Sequence, residues 1–272
     1  MPKAPKTNEI KYAEIYQRLG VDFSNKSSEE RIAQCPFCMK EKLHVNDRSG
    51  VWNCFTCGES GNLIQFIRRL HEESFEGTKP RDIEQLCESR GNFSKGFEDW
   101  GIAKSFLTDE WIVPAYNAKG AMVQLYQWNH KLYPTKTLGH GLFGVNCFDD
   151  SRPIVDICEG PWDGMAWYDA TQLFDDNSVI AVPGASIWKE QWNRLVEGKT
   201  VRILFDSDHP KTNKRSGKKM EPVGFRAAKS LARKLADVAK ETLYLEWGPE
   251  GFNPDWPSGT DLRDLLTGKE RV

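Results

Sequence analysis

Long apolar runs are missing from this sequence of 272 residues. None approaches the ~18–20 residues that cross a bilayer, so no membrane-spanning helix is expected. The basic start Met1–Lys6 is followed by no apolar segment, so no secretory signal is expected either, and the cytoplasm is the expected compartment. A charge excess is missing too. Lys and Arg number 37 against 39 Asp and Glu, a net charge of -2. That excludes a generally basic coat for nucleic acid and leaves any such contact to local patches. No Gly-x4-Gly-Lys-Ser/Thr sequence occurs, which excludes a P-loop motor in this stretch. Cysteine is sparse, at 7 residues. An odd count with tight paired spacing argues against a disulfide framework. A hydrophobic content of 39% and a charged content of 28% fit a globular chain, in one large domain or a few small ones.

Four cysteines are grouped as Cys35-x2-Cys38 and Cys54-x2-Cys57. Each pair can curl so that both sulfurs face one point, and two such knuckles complete a tetrahedral shell of four thiolates that suits Zn²⁺. Lys42–Val45 and Gly50–Asn53 read as strands around the turn Asn46–Gly50, the pattern of a zinc ribbon with one structural zinc. Lys42, His44, Asn46, Arg48 and Trp52 lie on or near those strands. Cations that hold phosphate and aromatic faces that stack on bases make this face a candidate for single-stranded nucleic acid, against the plainer reading of a solvated surface.

Residues 8–20 have helical spacing, and so do Gly61–Leu70 and the segment near Arg81–Ser89. Residues 71–80 are polar, with Gly77 and Pro80, and read as a linker. Trp111–Tyr116 and Ala121–Tyr126 flank the turn Asn117-Ala-Lys-Gly120, a hairpin signal. Lys119, with Lys131 and Lys136 from the following Gly-rich stretch, could contact template or nucleotide phosphate. From residue 153 the chain alternates strand and helix: Pro153–Cys158, Trp162–Thr171, Ser178–Val182, Trp188–Leu195, Val201–Phe205, Gly224–Ala239, Thr242–Glu246 and a short last helix Asp261–Leu266. This predicts an α/β domain with a mainly parallel sheet, in a chain that is α+β overall. The expected divisions are 1–71 (first helix and ribbon), 72–80 (linker), 81–150 (a first subdomain) and 151–272 (the parallel-sheet domain).

Two of these strands end on acids. Glu159 follows one; Asp206 and Asp208, which share a face of an extended chain, follow another. Ligands bind at the C-terminal ends of strands in such sheets, and three carboxylates there suit Mg²⁺ or Mn²⁺ and phosphoryl or nucleotidyl transfer.

Glu159-Gly160-x-x-Asp163 followed by Asp206-x-Asp208 resembles the TOPRIM signature of bacterial-type primases, topoisomerases and some nucleases. Cys35-Pro-Phe-Cys38, Trp52-Asn-Cys54-Phe-Thr-Cys57-Gly58 and Gly61-Asn62-Leu63-Ile64-Gln65-Phe66-Ile67 together resemble the zinc-ribbon segment of DnaG-type and phage primases. The order of the parts agrees, and the resemblance covers most of residues 30–266. It implies template-directed synthesis of short RNA primers from ribonucleoside triphosphates on single-stranded DNA. It also implies two catalytic Mg²⁺ or Mn²⁺ ions on Glu159, Asp206, Asp208 and Asp261, a replicative helicase as a separate partner chain, and the host cytoplasm if the chain is phage-encoded. Asp163 is expected to cap its helix and to orient Glu159. Two departures stand out. About a dozen residues are inserted between Asp208 and the glycine that matches Gly224, carrying Lys211, Lys214, Arg215, Lys218 and Lys219 as a flexible basic loop; beside a metal site it could steer template or nucleotide phosphates, with Lys211, Lys214 and Arg215 as the expected contacts, against the plainer reading of a solvated loop. Arg263 replaces a second acid near Asp261. A TOPRIM nuclease and a non-catalytic single-stranded-DNA-binding recombination mediator are the alternatives.

Overall fold

The computed structural model describes residues 11–26, 29–128, 132–134, 139–173, 176–213 and 215–268. It divides into two compact units. One holds residues 1–78, 103–112 and 124–139; the other holds 79–102, 113–123 and 140–272. Among the described residues no helix is long and apolar enough to cross a membrane.

The first unit opens with helix α1 (Tyr12–Arg18) and an antiparallel sheet of β1 (Glu30–Ala33), β2 (Leu43–Asn46), β3 (Trp52–Cys54) and β4 (Ser60–Gly61), in that order. The hairpin between β2 and β3 is set by local chemistry. Asn46 Oδ1 accepts the Arg48 and Ser49 N–H groups, and Gly50 closes the turn at φ 69. Gly50 also lets the Tyr12 ring pack on the turn, since a Cβ there would stand 2.2 Å from Tyr12 Cδ1. Asp47 fixes α1 to this turn. Its Oδ1 accepts Ala13 N–H at 2.7 Å, and its Oδ2 pairs with Arg31 at 3.3 Å. Helix α2 (Leu63–Gly77) starts at a capping box in which Asn62 and Gln65 exchange side-chain and backbone hydrogen bonds.

The expected linker at 71–80 is mostly helix. Helix α2 continues to Gly77, and α3 (Pro80–Arg90) follows Thr78 and Lys79. The polar run there is the solvated face of a helix, with Ser74 turned into the core.

After α3 come α4 (Ser94–Asp99), β5 (Ala103–Lys104), β6 (Trp111–Tyr116), β7 (Met122–Trp128) and β8 (Leu132–Pro134). The hairpin expected at Asn117–Gly120 is present. Gly120 adopts φ 79, and Asn117 Oδ1 accepts the Lys119 and Ala121 N–H groups.

The second unit is built on β9 (Ile154–Cys158), α5 (Pro161–Ala170), β10 (Asn177–Ala181), β11 (Thr200–Leu204), α6 (Val223–Leu235) and β12 (Glu241–Tyr244), followed by α7 (Leu262–Thr267). The sheet has the order β10-β9-β11-β12, and all three pairings are parallel. The apolar runs expected from a sheet covered on both faces are its strands, with Val155, Ile157, Ile180, Val201 and Ile203 buried. Helix α6 covers one face with Ala227, Ala228, Leu231, Ala232 and Leu235, a stripe at helical spacing. The expected helix at Trp188–Leu195 is a 3-10 segment over Glu190–Leu195, which Trp188 enters by donating its indole N–H to Asn193. One charge lies wholly inside. Asp156 receives a two-point bond from Arg202, and its Oδ2 also accepts the Trp167 and Asn177 N–H groups, so the buried charge is both paired and hydrogen-bonded.

Helices α4 and α5 meet at Gly96, where an added Cβ would stand 2.2 Å from the Met165 carbonyl oxygen. Gly96→Ala is therefore expected to cost about 1–3 kcal/mol of stability, read as a lowered urea midpoint at unchanged slope.

Candidate metal centres

The first centre is the cysteine quartet. The sulfurs of Cys35, Cys38, Cys54 and Cys57 all lie within 4.8 Å of one another. Cys38 and Cys54 stand 3.6 Å apart, and Cys35 and Cys57 4.0 Å. Four thiolates at ~2.3 Å from a tetrahedral zinc would stand ~3.8 Å apart, so the quartet fits the ion. Burial pushes the Cys35 thiol up, whereas at Cys54 burial is outweighed by the Cys57 and Thr56 N–H groups, which bring it down to about 7. Each knuckle closes on a left-handed residue, Met39 at φ 59 and Gly58 at φ 74.

The ribbon face differs from the sequence expectation at one residue. Trp52 is 2% exposed, donates its indole N–H to Asn62 O, and packs on Phe37 and Phe66. It is core and offers no ring to a base. Phe55, between the second pair of cysteines, is 68% exposed. His44 meets it edge-on at 4.8 Å, and Phe55 N–H bonds to Lys42 O, so aromatic ring, imidazole and lysine lie together. Arg48 is exposed and pairs with Glu29.

The second centre is acidic. β9 and β11 are adjacent and in register, Ile154 beside Thr200 and Cys158 beside Leu204. Glu159 leaves the end of the first and Asp206 and Asp208 the end of the second, so the sheet itself brings the three together. Glu159 Oε2 accepts Asp206 N–H at 3.4 Å, and Asp208 Oδ2 accepts Gly224 N–H at 2.9 Å. Gly224 is needed there: a Cβ would stand 2.5 Å from Asp206 O and 3.3 Å from Glu159 Oε2.

Two further acids close the group. Asp163 is buried in the first turn of α5 and does not cap it; Gly160 holds the cap position, and Asp163 Oδ1 is buried with no hydrogen-bond partner. Asp261, which caps α7, bonds to Asp163 and pairs with Arg263 at 3.2 Å. Arg263 thus partly neutralises this corner.

Among the described residues Glu159, Asp206 and Asp208 have no ion pair, and their oxygens do not close to the spacing of the cysteine quartet. Burial, then the charges of Asp208 and Asp261, push Glu159 up to about 7. Asp206 is raised by burial and by Asp163, Glu159, Asp261 and Asp208. Asp163 is raised by burial and by Asp261. Hard oxygen donors, unpaired charge and an orphaned carboxylate oxygen are what a divalent cation would satisfy.

Other expected site residues lie elsewhere. Lys119 lines a cavity of about 190 Å³ with Phe148, Asp150 and Arg194. Asp150 precedes β9 and Arg194 precedes β11, so the cavity is at the strand ends opposite the acids. Lys131, Lys136 and Lys214 fall outside the described residues.

The model of the CHC2 zinc finger family, the DnaG zinc ribbon, matches residues 7–91. That match takes in the whole cysteine quartet. In fold, the chain is similar to the RNA polymerase domain of Mycobacterium tuberculosis primase DnaG, with a TM-score of 0.50 and 12% identity over 75% of this chain and 78% of that one. The Aquifex aeolicus primase, in its zinc-binding and RNA polymerase domains, matches at a TM-score of 0.49 and 14% identity over 96% and 80%. The primase fragment of the bacteriophage T7 primase-helicase matches at 0.47 and 15% over 86% and 93%. The tegument protein VP22 of equine herpesvirus 4 (strain 1942) is 27% identical over 134 residues, 47% of this chain and 41% of that protein. The chain spans under half the length of that curated relative.

The raised Glu159 sets a pH dependence. Its folded value of about 7 exceeds the ordinary 4.5, so between these the folded chain keeps a proton that the unfolded chain has lost. Stability without divalent cation is then highest at the acid side of this window and falls as pH climbs through it. Thermal melts of zinc-loaded, magnesium-free protein from about pH 5 to 7.5 are expected to show a falling Tm, and Glu159→Gln to flatten the curve. Parent and variant curves of equal slope would contradict this.

Proposed function

We propose that this chain is a DNA primase that makes short RNA primers on single-stranded DNA from ribonucleoside triphosphates by metal-dependent nucleotidyl transfer. The observation that carries the reading is the meeting of Glu159, Asp206 and Asp208 at one edge of a parallel sheet, in a chain that also bears a DnaG-type zinc ribbon. Residues 151–272 form its TOPRIM catalytic domain.

Asp206 and Asp208, with Glu159 and Asp261 beside them, would hold two Mg²⁺ or Mn²⁺ ions. Bound there, the ions supply Lewis acidity and charge neutralisation for an in-line displacement on the α-phosphorus of the incoming nucleotide. Glu159 would face the attacking 3′-hydroxyl, and its value near 7 suits a group that takes that proton. Gly224 N–H holds the Asp208 carboxylate in one orientation and so presets the site. On the ribbon, Phe55 offers a ring for a template base, with Lys42 and His44 beside it. A replicative helicase on a separate chain is the partner that the resemblance suggests.

The test is primer synthesis on mixed-sequence single-stranded DNA with four ribonucleotides and Mg²⁺ or Mn²⁺. The parent is expected to give short RNA and Asp206→Ala none. Phe55→Ala is expected to fold normally and to weaken template binding by about 1–3 kcal/mol, the worth of one stacked base. Cleavage of the DNA without RNA synthesis would replace the reading by a nuclease. Strand binding with neither activity, in the presence of helicase, would replace it by a mediator.

A further inference from the structure

Between Asp208 and Gly224 the chain leaves the acidic edge and returns to it. The sequence suggests a flexible basic loop; the structure has a short hairpin. Met220 N–H donates to Lys211 O at 2.8 Å, Asn213 N–H to Lys218 O at 2.9 Å, and Thr212 faces Lys219 across an antiparallel bridge. At the tip, Asn213 Oδ1 accepts the Arg215 and Ser216 N–H groups, and Gly217 turns at φ 66.

Both feet of this hairpin are fixed at the acids. Asp208 Oδ2 holds Gly224 N–H, and His209 N–H donates to Ser258 Oγ at 2.8 Å. Pro210 and Pro222 restrict the backbone at the two ends. Lys219 pairs with Glu250 at 3.0 Å and sits 5.9 Å over the Phe252 ring, on which His209 packs edge-on.

Three cations are left over. Lys211, Arg215 and Lys218 are exposed, and among the described residues none has a side-chain partner. Nearby acids are already engaged, Glu221 with Lys229 and Glu250 with Lys219. Asn213 N–H meets Lys218 O and Gly217 N–H meets Asn213 O, so the chain turns back at Asn213, with Lys211 and Lys218 on the two arms and Arg215 in the turn. Phosphates follow one another at ~3.4 Å of axial rise along a strand, so three cations set apart in this way suit successive phosphates of a polymer backbone.

We propose that the hairpin 211–220 is a clamp on nucleic-acid phosphates, with Lys211, Arg215 and Lys218 holding the backbone of the template–product hybrid beside the carboxylates. This rests on the primase reading of that site. Its effect is on retention of the growing product and not on formation of the first bond.

The test compares the full-length parent with the triple variant Lys211→Gln, Arg215→Gln, Lys218→Gln and with the charge-keeping pair Lys211→Arg, Lys218→Arg. Binding of labelled RNA–DNA hybrid and of single-stranded DNA is measured by anisotropy across a salt series. The triple variant is expected to keep its zinc and its Tm, to lose hybrid affinity, and to give a log–log salt slope shallower by about 0.9 per lost contact, close to 3 in all. It is expected to form dinucleotides at the parent rate but shorter final products, while the Arg pair behaves as parent. An unchanged slope on both nucleic acids would overturn the clamp. A change on single strands alone would overturn its assignment to the hybrid. If the parent makes no RNA yet the slope falls by about three contacts, the primase reading fails and the phosphate grip stands.

Discussion

Mutual repulsion among carboxylates is the constraint on which the functional half of this molecule depends. Register brings Glu159 level with Phe205, one residue before Asp206, at the ends of β9 and β11, and the turn through Asp208, α5 and α7 adds Asp208, Asp163 and Asp261. Burial and proximity both disfavour their ionised forms, which is why Glu159 is pushed up to about 7. A sheet edge so arranged is an incomplete electrostatic unit. Arg263 answers the charge at Asp261 and Gly224 N–H part of that at Asp208. In the proposed reading, the charge at Glu159, Asp206 and Asp208 would be met by a divalent cation, and with it the phosphates that the cation would carry.

The ribbon solves the opposite problem. Four thiols at the spacing of a zinc shell give a small sheet a fixed centre, and Trp52, Phe37 and Phe66 build its apolar side. The surface left over is then free for recognition. The basic groups are local: Lys42 on the ribbon and, in the other unit, Lys211, Arg215 and Lys218 on the hairpin beside the acids. The proposed contacts with nucleic acid are compatible with a net charge of -2 because attraction to phosphate acts over a Debye length of ~8–10 Å, so patches and not totals decide it.

Much of this was legible in the sequence because the signals were periodic or exact in spacing. The paired cysteines, the apolar strands and the acids at their ends translate directly into the quartet and the sheet edge. The misreadings have local causes. Trp52 shares strand parity with Cys54, and both are buried; that parity was the available clue that its ring faces inward. Phe55 lies in a knuckle where alternation gives no rule, so its exposure was invisible. The polar stretch 71–77 concealed a helix because only one residue, Ser74, is turned inward. Asp163 sits three residues too far along to cap α5, and its burial depends on α7, which is distant in sequence. Lys119 lies in a hairpin turn whose place relative to the sheet is set by long-range contacts, and topology puts it at the strand ends opposite the acids.

The most direct test of the account is a Mn²⁺ titration of zinc-loaded protein, following free Mn²⁺ by electron paramagnetic resonance and proton release with an indicator. The parent is expected to bind Mn²⁺, to release protons as Glu159 and Asp206 ionise, and to bind more tightly above the Glu159 value of about 7 than below it. Asp206→Asn is expected to lose both the binding and the proton release. A parent that takes up no Mn²⁺, or a variant that binds as the parent does, would contradict the claim that these carboxylates form a metal site.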